Sequence, residues 1–170
     1  SGAGLADFGN SVTCVDIDHE KIDTLQKGEI PIYEPGLKEL VDRNVSASRL
    51  AFSSDVETSI QNAEVIFIAV GTPTGHNGEA DLAAVESVAL TFAKNLNSYK
   101  VICTKSTVPV GTGARLEQLI SENSTQEHEF DIVSNPEFLR EGSAVKDFLL
   151  PDRVVIGVSD KRAETILRDV

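Results

Sequence analysis

The sequence has 170 residues, of which 41% are hydrophobic, and its 15 basic and 27 acidic side chains give a formal net charge of −12 at pH 7. This composition favours one folded globular domain over disorder, and the charge argues against a nucleic-acid binder and against attraction to anionic lipid. No apolar run approaches the roughly 20 residues that a membrane span needs, and no N-terminal segment resembles a signal peptide.

Short β-branched runs alternate with longer amphipathic runs along the chain, which predicts βαβ units and a parallel sheet. The predicted strands are residues 11–16, 50–53, 64–70, 100–105, 130–134 and 153–158. The predicted helices are residues 20–27, 37–44, 55–61 with Asp55 as cap, 85–96 with Asp81 near the start, and one that contains Leu116, Leu119 and Ile120. Because the run 65–70 shows no polar alternation, we expect that strand to be buried on both faces.

The first ten residues are small and apolar and end in Gly9 and Asn10, a pair typical of a helix C-cap and turn. In a doubly wound fold such a helix follows a strand and a glycine-rich turn. Gly2 and Gly4 do not supply that turn, because they follow no strand and lack a third glycine at the required offset. We therefore expect the chain to begin after the first strand and its glycine-rich loop.

The chain contains no Met and two cysteines, Cys14 and Cys103, which both lie in apolar runs. Two cysteines are too few for a disulfide framework, so we expect reduced, buried thiols in a cytoplasmic protein. The missing initiator Met leads us to expect a piece of a longer protein.

Ligands of an open parallel sheet bind outside the carboxyl ends of the strands. The first predicted strand ends in Asp16, where a carboxylate accepts hydrogen bonds from the ribose of a dinucleotide and disfavours a 2′-phosphate. The alternative for Asp16 is a solvated loop or capping residue, although we assign the cap of the next helix to Asp18. Lys21, one turn into that helix, either reaches the ribose or its phosphate or stays solvated.

Small and hydroxyl residues follow the next two long strands. The segment from Gly71 to Gly75 either lets a flat cofactor approach the backbone or forms an ordinary turn. Ser106 and Thr107 offer hydroxyl groups to a ligand or to a helix cap. We expect Thr112 to serve as the cap, which leaves Ser106 and Thr107 for a ligand.

Two carboxylates four residues apart, Glu137 and Glu141, flank Arg140 after the 130–134 strand. If this segment is helical, the two carboxylates share a face and can position water or act as a general base. The alternative is a charged surface turn. Four successive strands end in polar or glycine-rich segments on one edge of the sheet, and this convergence favours a binding site.

Six segments carry a resemblance to a known family. They are VDID (15–18), IPIYEPGL (30–37), VGTP (70–73), KSTVPVGT (105–112), NPEFLREG (135–142) and PDR (151–153). In unbroken order over residues 5–157, they closely resemble the NAD-binding domain of the UDP-glucose/GDP-mannose dehydrogenase family. The sequences of the segments IPIYEPGL, STVPVGT and PDRVVIG are most similar to the UDP-glucose branch of the family. The GDP-mannose and UDP-N-acetylmannosamine branches are alternatives.

The resemblance implies an α/β, Rossmann-like, doubly wound and mostly parallel sheet with helices on both faces. Residues 1–170 would be its NAD-binding part, without the first strand and the glycine-rich loop. The implied reaction is the NAD-dependent oxidation of UDP-glucose from a primary alcohol through an aldehyde to a carboxylate. The implied protein is a homo-oligomer that uses no metal and binds neither nucleic acid nor membrane. The family's catalytic cysteine lies in a later domain, so we expect residues 1–170 alone to be inactive.

The resemblance also implies roles for individual residues. Glu137 is expected to be the catalytic acid/base, and Thr107 is expected to help orient a catalytic water. The expected cofactor contacts are Asp16, Lys21, Val70, Gly71, Thr72, Pro73, Thr74, Ser106, Thr107 and Glu141. The expected wall of the sugar site is Glu137, Phe138, Leu139, Arg140 and Glu141. The loops 33–35 and 74–81 are expected to border the site.

Two alternative functions would require different sets of these residues. Another Rossmann dehydrogenase, such as a 3-hydroxyacid type, lacks the NPEFLREG segment. A non-catalytic NAD-binding module would keep Asp16 but would not need Glu137, Glu141 and Thr107 together.

Overall fold

A computed structural model of the protein describes residues 1–75, 78–125 and 129–170. The chain divides into two compact units. The first unit contains Ser1–Ser59, Phe138–Arg153 and Val170, and the second contains Ile60–Glu137 and Val154–Asp169.

Helices and parallel strands alternate along the chain, as the sequence pattern predicts. In chain order the elements are α1 (Gly2–Asp7), β1 (Val12–Val15), α2 (His19–Gln26), α3 (Leu37–Ser46), β2 (Leu50–Ser53), α4 (Val56–Asn62), β3 (Val65–Ile68), α5 (Ala83–Asn95), β4 (Lys100–Thr104), α6 (Thr112–Asn123), β5 (Phe130–Ser134), α7 (Ala144–Leu149) and α8 (Lys161–Asp169). No helix in the described ranges is long and apolar enough to cross a membrane.

The first unit is built on a two-stranded parallel sheet, in which Val12 of β1 is opposite Leu50 of β2. Its core forms where α1 and α3 bury their apolar faces against one side of this sheet. The buried core residues are Ala3, Ala6, Leu40, Val41 and Leu50. Helix α7 packs on α1 so closely that a Cβ at Gly4 would overlap the ring of Phe148.

The second unit contains a three-stranded parallel sheet in the order β3-β4-β5. Helix α8 covers one face of this sheet, where it packs against Cys103 and Val133. Helix α6 lies on the other face, where a Cβ at Gly113 would be 3.7 Å from Cγ2 of Ile132. The predicted α/β architecture with a parallel sheet and helices on both faces is therefore confirmed for this unit.

Strand β4, not β3, is the fully buried strand. All five residues of β4 are buried, whereas Val65, Ile66 and Phe67 of β3 are only partly covered. The prediction that the 65–70 run is buried on both faces is wrong, because within the described residues β3 lies at a sheet edge and pairs with β4 alone.

The predicted strand 153–158 is also wrong. Only Gly157 pairs with the sheet, through a single antiparallel bridge to Ser134. The amide of Asn135 donates to the carbonyl of Val155 at 2.9 Å and so takes the place of a ladder bond. The sequence patterns also miss α7 and α8, because α7 has six residues and α8 buries only Ala163 and Leu167.

Candidate functional site

The turn after β1 fixes the carboxylate of Asp16. One oxygen accepts the backbone N–H of Asp18 at 3.1 Å, and the other accepts the ammonium of Lys21. The hydrogen bond from Lys21 is the main reason that the pKa of Asp16 lies below its usual range. Asp18 accepts the backbone N–H of Lys21 at 3.1 Å, which confirms its predicted role as the cap of α2.

This turn fits the ribose of a dinucleotide. The Asp16 side chain keeps 30% of its surface exposed. An ionised carboxylate has more acceptor positions than the two that these contacts use, so it can still accept hydrogen bonds from a sugar diol. The same negative charge repels a phosphate at the 2′ position. The accepting carboxylate of this turn therefore suits NAD better than NADP.

The segments after β3 and β4 are joined by two hydrogen bonds. Ser106 Oγ donates to the carbonyl of Val70 at 2.6 Å, and Thr72 Oγ1 donates to the carbonyl of Thr107 at 3.1 Å. Ser106 thus has a structural contact that the sequence did not predict. A Cβ at Gly71 would meet no atom within 4 Å, so the backbone there is open to a flat ligand.

The expected cap at Thr112 is wrong. The N-cap of α6 is Gly111, which takes a left-handed conformation with φ of 93° that favours glycine. The hydroxyl of Thr112 donates back to the carbonyl of Pro109 at 2.8 Å instead of accepting a backbone N–H. Thr107 remains exposed at the end of β4.

The loop after Pro73 is only partly described. Thr74 pairs with Ala80, and the N–H of Asp81 donates to the carbonyl of Pro73 at 2.8 Å. His76 and Asn77, which belong to the predicted 74–81 border, lie outside the described residues.

A buried lysine lies beside Glu137. Lys105 Nζ is 3.2 Å from Oδ1 of Asn135 and 3.7 Å from Oε2 of Glu137. It also lies 5.8 Å from the centre of the Phe67 ring. Burial lowers the pKa of Lys105, and the charge of Glu137 opposes this effect. Sequence reasoning assigned no role to Lys105, although its place directly after an apolar strand was a usable signal.

The segment 137–141 is not helical, so Glu137 and Glu141 do not share a helix face as they would in the predicted helix. The guanidinium of Arg140 donates instead to both carboxylate oxygens of Asp147, at 2.9 and 2.6 Å. These hydrogen bonds are the main reason that the pKa of Asp147 lies far below its usual range. The ring of Phe138 is exposed and lies 5.5 Å from the guanidinium of Arg153.

Glu34 anchors this segment from within the same unit. Its carboxylate accepts the N–H groups of Gly142 and Ala144, each at 2.8 Å. Ala144 is the first residue of α7, so Glu34 satisfies a free N–H at the start of this helix. The IPIYEPGL segment therefore has a structural link to the NPEFLREG segment, and Tyr33 remains exposed beside it.

Neither cysteine has the surroundings of a nucleophile. Both are free thiols, with Cys103 buried and Cys14 partly buried, which departs from the expected full burial of Cys14. Burial raises the pKa of Cys103 to about 12 and also raises that of Cys14. A catalytic thiolate needs a partly exposed, electropositive position instead.

The predicted site residues are divided between the units. Val70–Thr74, Ser106, Thr107 and Glu137 belong to the second unit. Asp16, Lys21 and residues 138–141 belong to the first.

A family model and two similar proteins all point to the same family. The family model described as "UDP-glucose/GDP-mannose dehydrogenase family, NAD binding domain" matches residues 1–170. UDP-glucose 6-dehydrogenase TuaD of Bacillus subtilis (strain 168) is 49% identical over 170 residues, which are all of this chain and 37% of that protein. UDP-glucose 6-dehydrogenase of Rhizobium meliloti (strain 1021) is 51% identical over 173 residues, which cover all of this chain and 39% of that protein.

The fold of the chain is also similar to that of a solved structure. A UDP-glucose dehydrogenase from the archaeon Pyrobaculum islandicum is 39% identical and superposes with a TM-score of 0.94. The match covers 99% of this chain and 40% of that one. The chain thus spans well under half the length of the proteins that it matches.

Proposed function

The chain belongs to the UDP-glucose/GDP-mannose dehydrogenase family, and we propose that it is the NAD-binding part of an enzyme that oxidises UDP-glucose to UDP-glucuronate. The observation that carries this proposal is the match of the whole chain to UDP-glucose 6-dehydrogenases at 49% and 51% identity. The IPIYEPGL, STVPVGT and PDRVVIG segments support UDP-glucose over other nucleotide sugars. Because the chain spans 37% of the first of these relatives, the reaction belongs to the complete protein.

The turn after β1 binds the adenosine end of the cofactor in this proposal. Asp16 accepts hydrogen bonds from the ribose hydroxyls, and Lys21 both orients Asp16 and reaches the ribose or its phosphate. The ion pair between these two side chains supports their joint role. Bound NAD supplies a hydride acceptor for each of the two oxidation steps.

The segments after β3 and β4 line the rest of the cofactor site. Val70 to Thr74 cover the cofactor, and Ser106 holds this segment in place through the carbonyl of Val70. Thr107 presents its exposed hydroxyl to a catalytic water. Glu141 approaches the cofactor from the nicotinamide side.

Glu137 carries the proton transfers. Its carboxylate accepts the proton of the sugar hydroxyl as the alcohol is oxidised. In the last step it takes a proton from the water that attacks the thioester formed with the cysteine of the later domain, so the C–S bond breaks, the thiol leaves and the carboxylate product is released. An exposed fraction of 41% leaves the carboxylate accessible to substrate. Phe138 to Glu141 form a wall of the sugar site, with Arg140 held by Asp147.

We also propose that the complete protein works in the cytoplasm as a homo-oligomer. The two free thiols support a reducing compartment. Light scattering of the complete protein measures its assembly state.

The test of the proposed function is an assay of the complete protein with UDP-glucose and NAD. We expect two NADH per UDP-glucose consumed, together with UDP-glucuronate in the product mixture. GDP-mannose and UDP-N-acetylmannosamine, assayed in parallel, should give much lower kcat/KM. A protein that forms no NADH with UDP-glucose contradicts the proposed substrate.

A further inference from the structure

Two lysines of the second unit are almost fully buried, one at each end of β4. Lys100 opens the strand and is 2% exposed, and Lys105 follows its last residue and is 8% exposed. Burying an ammonium group is costly unless it is paired or hydrogen-bonded. The contacts of each lysine therefore indicate what it does.

Lys100 serves the fold at the amino end of the sheet. Its ammonium donates to the carbonyls of Gln61, in the last turn of α4, and of Ala63, in the turn between α4 and β3. These contacts hold a connecting turn. No residue of the proposed site is among them.

Lys105 contacts side chains at the opposite end of the strand. Its ammonium donates to Oδ1 of Asn135 at 3.2 Å and lies 3.7 Å from Oε2 of Glu137. Asn135 is itself held on two sides, because its amide donates to Val155 at 2.9 Å and its backbone N–H donates to Thr104 at 3.0 Å. The acceptor that orients Lys105 is therefore fixed to the sheet.

We propose that Lys105 is a positioning residue whose ammonium group holds the carboxylate of Glu137 in the orientation that proton transfer requires. The inference rests on the proposed role of Glu137. Contacts run from β4 to Asn135, from Asn135 to Lys105, and from Lys105 to Glu137, so the position of the Glu137 carboxylate depends on β4. As a positioning residue, Lys105 does not contact the substrate and acts only through Glu137.

Stability alone does not explain a lysine at this position. Replacing buried ionic groups by apolar residues of similar volume is often neutral or stabilising. Among the residues that the structure describes, the titratable groups that act on Lys105 include Glu137 and the thiol of Cys103, and the raised pKa of Cys103 keeps that thiol neutral at pH 7. The carboxylate of Glu137 is thus a charged group that an ammonium at this position can orient.

The test compares two lysine variants of the complete protein. Lys105→Met should lower kcat by at least about tenfold, below the ~10²–10⁴-fold weight of the general acid/base itself. The KM values for NAD and UDP-glucose should stay within about twofold, because the binding contacts remain. The matched control Lys100→Met removes a buried ammonium from the same strand, and it should lower Tm while leaving kcat unchanged.

A double-variant cycle separates positioning from general damage. If Lys105 acts through Glu137, then Lys105→Met should slow Glu137→Gln little further, because residues that act as a unit are not additive. Lys105→Arg keeps the charge and should recover part of kcat. If the Met variant fails to fold, Lys105→Gln, which keeps a donor to Asn135 without the charge, should show the same loss of kcat.

Three results would overturn the inference. They are a wild-type kcat in Lys105→Met, full additivity with Glu137→Gln, and an Arg variant as slow as the Met variant. The proposed function fails separately, when wild-type protein does not oxidise UDP-glucose at all. An active wild type, a slow Glu137→Gln and a fully active Lys105→Met reject the inference and leave the function standing.

Discussion

The proposed role of Asp16 makes one residue responsible for cofactor choice. Its carboxylate is held by Lys21 and by the N–H of Asp18, so the ribose contact that we propose would be made from a fixed position. In Asp16→Ala we expect KM for NAD to rise by about tenfold or more, because hydrogen bonds to a charged group contribute about 1.5–3 kcal/mol. Discrimination against NADP should relax at the same time.

The measurement is steady-state kinetics of the complete protein with NAD and with NADP. Asp18→Asn is the matched control, because Asn also caps helices and Asp18 makes no predicted cofactor contact. This control should keep the wild-type preference. An unchanged cofactor preference in Asp16→Ala would mean that another carboxylate contacts the ribose.

At the scale of residues, sequence analysis works where local rules apply. Asp18 could be assigned as a cap because capping involves residues three apart in the chain. The partners of Lys105 and Glu34 could not be assigned, because they lie 30 or more residues away in the sequence. Their contacts depend on which strand ends and loops the fold brings together.

Helices and strands could be predicted where burial leaves a clear pattern of apolar residues in the sequence. Strands β2 and β5 have the predicted bounds, and β1, β3 and β4 lie within theirs. The failure at 153–158 has a different cause, because β-branched residues there favour a strand while a side-chain amide takes the place of backbone pairing. Helix α8 buries only Ala163 and Leu167 and is otherwise mostly polar or charged, so its apolar face is too small to stand out in the sequence.

Glu34 holds the start of helix α7 in place. Its carboxylate accepts two backbone N–H groups at the start of α7 and so holds the segment that carries Arg140 and Glu141. In Glu34→Ala we expect amide hydrogen exchange in residues 140–147 to speed up by about tenfold or more, because each charged hydrogen bond contributes about 1.5–3 kcal/mol.

Hydrogen exchange with mass spectrometry of the complete protein measures this effect. Glu29→Ala removes a nearby exposed carboxylate and should leave exchange in residues 140–147 unchanged. Glu34→Gln should give an intermediate rate, because its amide oxygen accepts hydrogen bonds without the charge. Wild-type exchange in Glu34→Ala would show that α7 is held by other contacts.

For the whole molecule, alternation of strands and helices was sufficient to predict a parallel α/β architecture. Strand order within each sheet follows from the rule that successive βαβ units lie side by side. The division into two units was not predicted, because it depends on which residues pack together across more than 80 positions of sequence. Composition and periodicity do not encode that information.

The last prediction concerns residues 1–170 as a separate protein. We expect this segment to form no UDP-glucuronate from UDP-glucose and NAD, because the aldehyde needs a thiol nucleophile to go further, and its two thiols have raised pKa values and are not placed as nucleophiles. In the complete protein, Cys14→Ala and Cys103→Ala should therefore keep the wild-type kcat, even where the loss of a buried thiol lowers Tm. Assays of the segment, the complete protein and both variants together show whether a thiol of this chain takes part in the reaction. Formation of UDP-glucuronate by the segment alone, or loss of kcat in either variant at unchanged folded fraction, would place the reacting thiol within this chain.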